Sequence, residues 1–101
     1  MSKKIYISGK ITGLSEKVAK KQFSAAETQL KGMYPGCEVI NPMEINHDHD
    51  GSWLSYMQQD IKALMDCDSI FMLTNWQESK GAIVEYTLAK GLGYKIIHQA
   101  Q

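Results

Sequence analysis

Residues 4–9 read Lys-Ile-Tyr-Ile-Ser-Gly (KIYISG), a short β-branched and aromatic run cut off by a glycine. Such a run predicts a strand, and its character returns at 37–40 (CEVI), 69–73 (SIFML) and 94–98 (YKIIH). Between these four runs lie three stretches with helical spacing of apolar residues. The first carries Ala19, Phe23, Ala26, Leu30 and Met33, the second Trp53, Met57, Ile61, Leu64 and Met65, and the third Ala82, Leu88, Ala89 and Leu92. The order is therefore βαβαβαβ. Strands that are apolar throughout and joined by helix-length crossovers belong to a parallel sheet covered on both faces. The expectation is a small, doubly wound α/β fold of the Rossmann or flavodoxin-like kind, with about four strands in the order 2-1-3-4. Turn chemistry agrees: Pro35-Gly36 closes the first helix, Asn41-Pro42 ends the second strand, and Gly91 with Gly93 ends the third helix.

The length of 101 residues leaves room for one domain, 1–101. Hydrophobic residues at 44% and charged residues at 22% match a globular chain with one modest core. All eleven basic residues are lysines, balanced by eleven acids to a net charge of +0. Without arginine for bidentate phosphate or guanine contacts, a nucleic-acid partner is disfavoured. No apolar run approaches the ~20 residues that cross a bilayer, and the start MSKKIYISG lacks a signal-peptide core, so a cytoplasmic protein without a membrane partner is expected. Cys37 and Cys67 form no C-x-x-C pair and read as two buried thiols in a reducing compartment.

In a doubly wound sheet, ligands bind beyond the carboxyl ends of the strands where the winding reverses, here between strands 1 and 3. The lining loops should be Gly9 to Leu14 (GKITGL) and Thr74 to Gly81 (TNWQESKG). At 100° per residue, Asp60 falls within the apolar side of the second helix, with Trp53, Met57, Ile61 and Leu64. On the third helix, Glu85 points inward with Gly81, Leu88 and Leu92. One buried carboxylate can simply anchor loops, but two converging on one cleft point to chemistry. Ser8, Gly9, Lys10 and Gly13 offer a cation and close backbone approach to an anion, although neither the G-x-x-x-x-G-K-[ST] nor the G-x-G-x-x-G spacing is present. Ser79, Lys80 and Gly81 begin the third helix, where free N–H groups suit a phosphate or where Ser79 merely caps. Trp76 could stack on a base or fill the core, and Tyr6 could reach the ligand or pack. His47-Asp48-His49-Asp50 reads more simply as a solvated loop than as a metal cluster, so no metal is assigned.

I-Y-I-S-G-K-I-T-G, N-P after strand 2, W-L-x-Y-M-x-x-D-I, C-D-S-I-F-M-L and W-x-x-S-x-G-A-x-x-E together resemble the nucleoside 2-deoxyribosyltransferase-like superfamily over nearly the whole chain. Within it, the sequence is similar to a small bacterial and phage branch related to the 2′-deoxynucleoside 5′-monophosphate N-hydrolases. The resemblance implies that Glu85 is a nucleophile, that Asp60 orients or protonates the substrate, and that Tyr6 helps hold the sugar and the nucleophile. It implies phosphate binding through Lys10, standing in for an arginine, and through Ser79. It also implies a small nucleoside or nucleotide ligand, no cofactor, and an oligomer; those enzymes continue past a fourth strand, whereas this sequence stops at Gln101.

The expected activity is N-glycosidic cleavage or deoxyribosyl transfer. The alternatives are a nucleotide-binding or regulatory module on the same fold and, less favoured, a metal-dependent phosphohydrolase using residues 47–50. A dimer is expected across the third helix, whose outer side would carry Ile83, Tyr86, Thr87 and Lys90.

Overall fold

The computed structural model describes residues 3–45 and 52–100, so the His47 to Asp50 reading lies outside the described residues. The elements are β1 (Lys4–Ser8), α1 (Glu16–Met33), β2 (Glu38–Ile40), α2 (Trp53–Met65), β3 (Ser69–Met72), α3 (Lys80–Gly91) and β4 (Lys95–His98), with single 3-10 turns at Pro42–Glu44 and Trp76–Glu78. All strand pairs are parallel and the order is β2-β1-β3-β4, as the sequence pattern predicts. The strands are slightly shorter than the apolar runs. Leu73 still donates its N–H to the Ser8 carbonyl, while Tyr94 turns aside, its N–H closing the end of α3 on Ala89 and its hydroxyl donating to Leu64 and Met65.

Each helix begins at a serine whose hydroxyl accepts a backbone N–H: Ser15 from Val18, Ser52 from Ser55 and Ser79 from Ala82. Such caps satisfy donors that the first turn leaves unpaired. Alternation along β1 then divides the core. Ile5 and Ile7 face α1, packing with Phe23, Ala26 and Leu30. Tyr6 faces the other layer with Leu64 of α2, Ala89 of α3, and Ile70 and Met72 of β3. A right-handed connection places α1 on one face, and the reversal of direction after β2 places α2 and α3 on the other.

The projected helix faces need correction. On α3 the buried residues are Ala82, Glu85 and Ala89, Leu88 is half-buried and Leu92 is exposed. The inward side is thus turned by a residue from the expected one, because the small Ala82 and Ala89 let the helix lie close to the sheet. Tyr86, expected on the outer side, is half-buried and stacks on Trp76, leaving Ile83 and Val84 as the exposed apolar residues there. On α2, Met57, Asp60 and Leu64 are buried, but Ile61 is only half-buried and Trp53 is exposed. Met33 ends α1 exposed. Both cysteines are free, Cys67 buried and Cys37 half-buried. Among the described residues no helix is long and apolar enough to cross a membrane.

Candidate active site

Beyond the carboxyl end of β1 lies a cavity of about 480 Å³. Tyr6 and Gly9 of the first strand and its loop form the floor, with Ile11, Thr12 and Leu14 at one side. Pro42 and Met43 close it beyond β2, α2 contributes Trp53, Tyr56, Met57 and Asp60, and the start of α3 contributes Ser79, Gly81, Ala82 and Glu85. The cavity is displaced toward β2 from the expected place between strands 1 and 3. Only the end of the Thr74 to Gly81 loop lines it, because the 3-10 turn folds the middle of that loop back over α3 and β4.

Two glycines make this close packing possible. A Cβ on Gly9 would meet Leu73 Cδ1 at 2.5 Å and its Cβ at 2.8 Å, so the end of β1 can lie against the end of β3 only without a side chain. At Gly81 a Cβ would meet Met57 Sδ at 3.0 Å, where α3 begins against α2.

Glu85 is 5% exposed and Asp60 7%, yet both border the cavity. The Tyr6 hydroxyl donates to Glu85 Oε2 at 2.8 Å and the Ser8 hydroxyl to Oε1 at 2.7 Å. Burial pushes the Glu85 carboxyl up to about 7 and the Asp60 charge adds to the rise, while the two hydroxyls pull the other way. Burial, followed by the charges of Glu85 and Asp60, raises the Tyr6 phenol well above its ordinary range, so it stays a donor. Burial also pushes the Cys67 thiol up to about 12, which leaves it unreactive.

Tyr6, Asp60, Glu85, Gly9, Ser79 and Gly81 are therefore brought together along one cavity, with Ser8 directly beneath Glu85. Lys10 and Trp76 are not. The Lys10 ammonium lies 3.4 Å from Glu78, and its backbone N–H donates to Asn75 Oδ1 at 3.0 Å, tying the two loops together. Trp76 stacks on Tyr86 at 4.5 Å between ring centroids, with His98 beside both rings, so the indole is used in packing. Ser79 acts as the cap of α3 and also lines the cavity.

Sequence reading missed Trp53 and Tyr56 as cavity walls; their position just after the Ser52 cap was the available signal. The Lys80 ammonium sits 4.7 Å over the Trp53 ring. Among the described lining residues the charged side chains are Glu16, Asp60 and Glu85, with no lysine. Among the described residues no three His, Cys, Asp or Glu side chains gather as a metal site would require.

Comparison with known proteins gives two findings. A family model described as "Domain of unknown function (DUF4406)" matches residues 3–98. A solved structure of a 2-deoxyribosyltransferase from the psychrotolerant bacterium Bacillus psychrosaccharolyticus superposes with a TM-score of 0.69 at 22% sequence identity, covering 94% of this chain and 70% of that one. The nucleoside 2-deoxyribosyltransferase-like fold expected from the motifs is thus present. No curated protein sequence matches the chain.

Proposed function

The chain belongs to the DUF4406 family, and from its nucleoside 2-deoxyribosyltransferase-like fold and its buried carboxylate pair we propose that it cleaves or exchanges the N-glycosidic bond of a 2′-deoxynucleoside or its 5′-monophosphate. The observation that carries this reading is Glu85, a carboxylate buried at the cavity wall and held through both oxygens by hydroxyls of β1. Burial of that kind is costly, and perturbed carboxyls bordering a cavity cluster at functional sites.

In the proposed reaction, a Glu85 oxygen bonds to the anomeric carbon as the carbon–nitrogen bond breaks and its electron pair leaves on the base. Asp60, within charge reach of Glu85, orients the base or supplies the proton that its nitrogen takes up. Water or a second base then attacks the anomeric carbon, and the electron pair returns to the Glu85 carboxylate. Trp53, Tyr56 and Met57 offer an apolar wall for the base. The protein acts without a cofactor, in a reducing compartment such as the cytoplasm, as a homodimer that covers Ile83 and Val84 of α3.

Incubation with a panel of deoxynucleosides, ribonucleosides and their monophosphates, with chromatography of released bases, tests the reading. Release from at least one deoxy compound is expected, with a covalent sugar adduct after exposure to a 2-fluoro-2-deoxyribosyl analogue. No release and no exchange across the panel would overturn it.

A further inference from the structure

Tyr6 and Ser8 lie two residues apart on β1, so their side chains leave the same face of the sheet about 7 Å apart. Glu85 comes down from α3 between them, and each hydroxyl takes one carboxylate oxygen. The two donors are not equivalent. Both hydroxyl residues are fully buried, but Tyr6 and Glu85 line the cavity and Ser8 does not. An ionised carboxylate only accepts, so both hydroxyls must donate, and the two bonds together fix the plane of a side chain that otherwise has three free torsions.

We propose that Ser8 is a positioning residue: it holds Oε1 of Glu85 against the sheet and leaves Oε2, on the Tyr6 side, as the oxygen that attacks. This deepens the glycosidase reading above and rests on it for the word attack. When Oε2 bonds to the anomeric carbon, the carbon–nitrogen bond breaks, its electron pair leaves on the base nitrogen, and that nitrogen takes up a proton from the Asp60 carboxyl. Oε2 becomes a poorly accepting ester oxygen and releases the Tyr6 hydroxyl, while Oε1 becomes the ester carbonyl and keeps the Ser8 bond. In the second step, water or another base bonds to the anomeric carbon and gives up a proton to the Asp60 carboxylate left by the first, and the carbon–Oε2 pair returns to the Glu85 carboxylate. The Ser8 bond strengthens as that charge reappears, so Ser8 assists departure of the carboxylate as well as its attack.

Among the described residues the titratable groups facing this carboxylate are Tyr6 from β1 and Asp60 from α2, with Cys67, ahead of β3, facing Tyr6. β3 presents Ile70 and Met72 to this layer. Burial and then Asp60 oppose ionisation of Glu85, and among the described residues the two hydroxyls favour it.

The test is a carbon-13 NMR titration of the Glu85 carboxyl without substrate, in wild type, Ser8→Ala and Tyr6→Phe. Loss of one hydrogen bond to a charged acceptor should raise the midpoint in Ser8→Ala by about one pH unit. The acid limb of base release should move by the same amount, and Ser8→Thr, which keeps the hydroxyl, should restore both. Should Ser8→Ala not fold, Ser8→Cys keeps the size with a weaker donor and gives the same comparison. A midpoint unmoved within about 0.3 unit overturns the proposal. If wild type releases no base from any compound, the glycosidase reading falls, while the titration still decides whether Ser8 holds the carboxylate.

Discussion

Replacing Glu85 by glutamine should abolish base release and, at neutral and alkaline pH, stabilise the protein. In the folded chain this carboxyl is held near 7, against an ordinary value of 4.5. Between those values the folded state keeps a proton that the unfolded chain has lost, so stability falls as pH rises through this window. Below about 4.5 both states are protonated and the penalty vanishes; above about 7 it is complete. A rise of that size corresponds to about 3 kcal/mol, a large part of the stability of a domain this small.

Urea unfolding of wild type and Glu85→Gln at several pH values between about 4 and 8 reads this directly, because other titrating groups largely cancel in the difference. Glu85→Gln should gain on wild type as pH rises, by about 3 kcal/mol in all, or roughly 10 to 20 °C in Tm. A difference that stays constant within about 0.5 kcal/mol would refute the buried, proton-holding carboxylate. The same titration governs activity with the opposite sign, since a nucleophile must be ionised: kcat/KM of wild type should climb through about pH 7. A variant keeping more than about a tenth of wild-type base release would refute Glu85 as the nucleophile.

Gly9→Ala should cost about 1 to 3 kcal/mol in urea unfolding, because the new methyl meets Leu73 at the junction of β1 and β3; an unchanged midpoint would mean that the junction is loose. Lys10→Ala should change KM for a monophosphate and its nucleoside by the same factor, since the ammonium is paired with Glu78 outside the described cavity lining and such exposed pairs are worth at most about 1 kcal/mol. A selective tenfold rise for the monophosphate would show the lysine turning to the phosphate. Sedimentation at micromolar concentration should give a dimer, and Ile83→Glu with Val84→Glu should give a monomer of 11.4 kDa; a wild-type monomer would refute the covered face.

What the sequence made legible followed from local pattern. The apolar, β-branched run that Gly9 cuts off was enough for a buried central strand, and the helical period placed Asp60 and Glu85 among apolar neighbours, where the structure buries both. The contact that binds Glu85 could not be read this way. Tyr6 and Ser8 share a face by alternation, but 77 residues separate Ser8 from Glu85, and only the β1–β3 register with the close approach of α3 brings them within 2.7 Å. Projection on an ideal helix set Leu88 and Leu92 inward with Glu85, but the buried residues of α3 are Ala82, Glu85 and Ala89, since a helix lies closest to a sheet where its side chains are smallest. Trp76 shows the remaining ambiguity: its composition and loop position suited a base-stacking role, but Tyr86, one turn and a half into α3, offers it a ring first. The fold thus needs only local patterns, whereas the candidate site depends on which of several chemically suitable side chains the packing has already engaged.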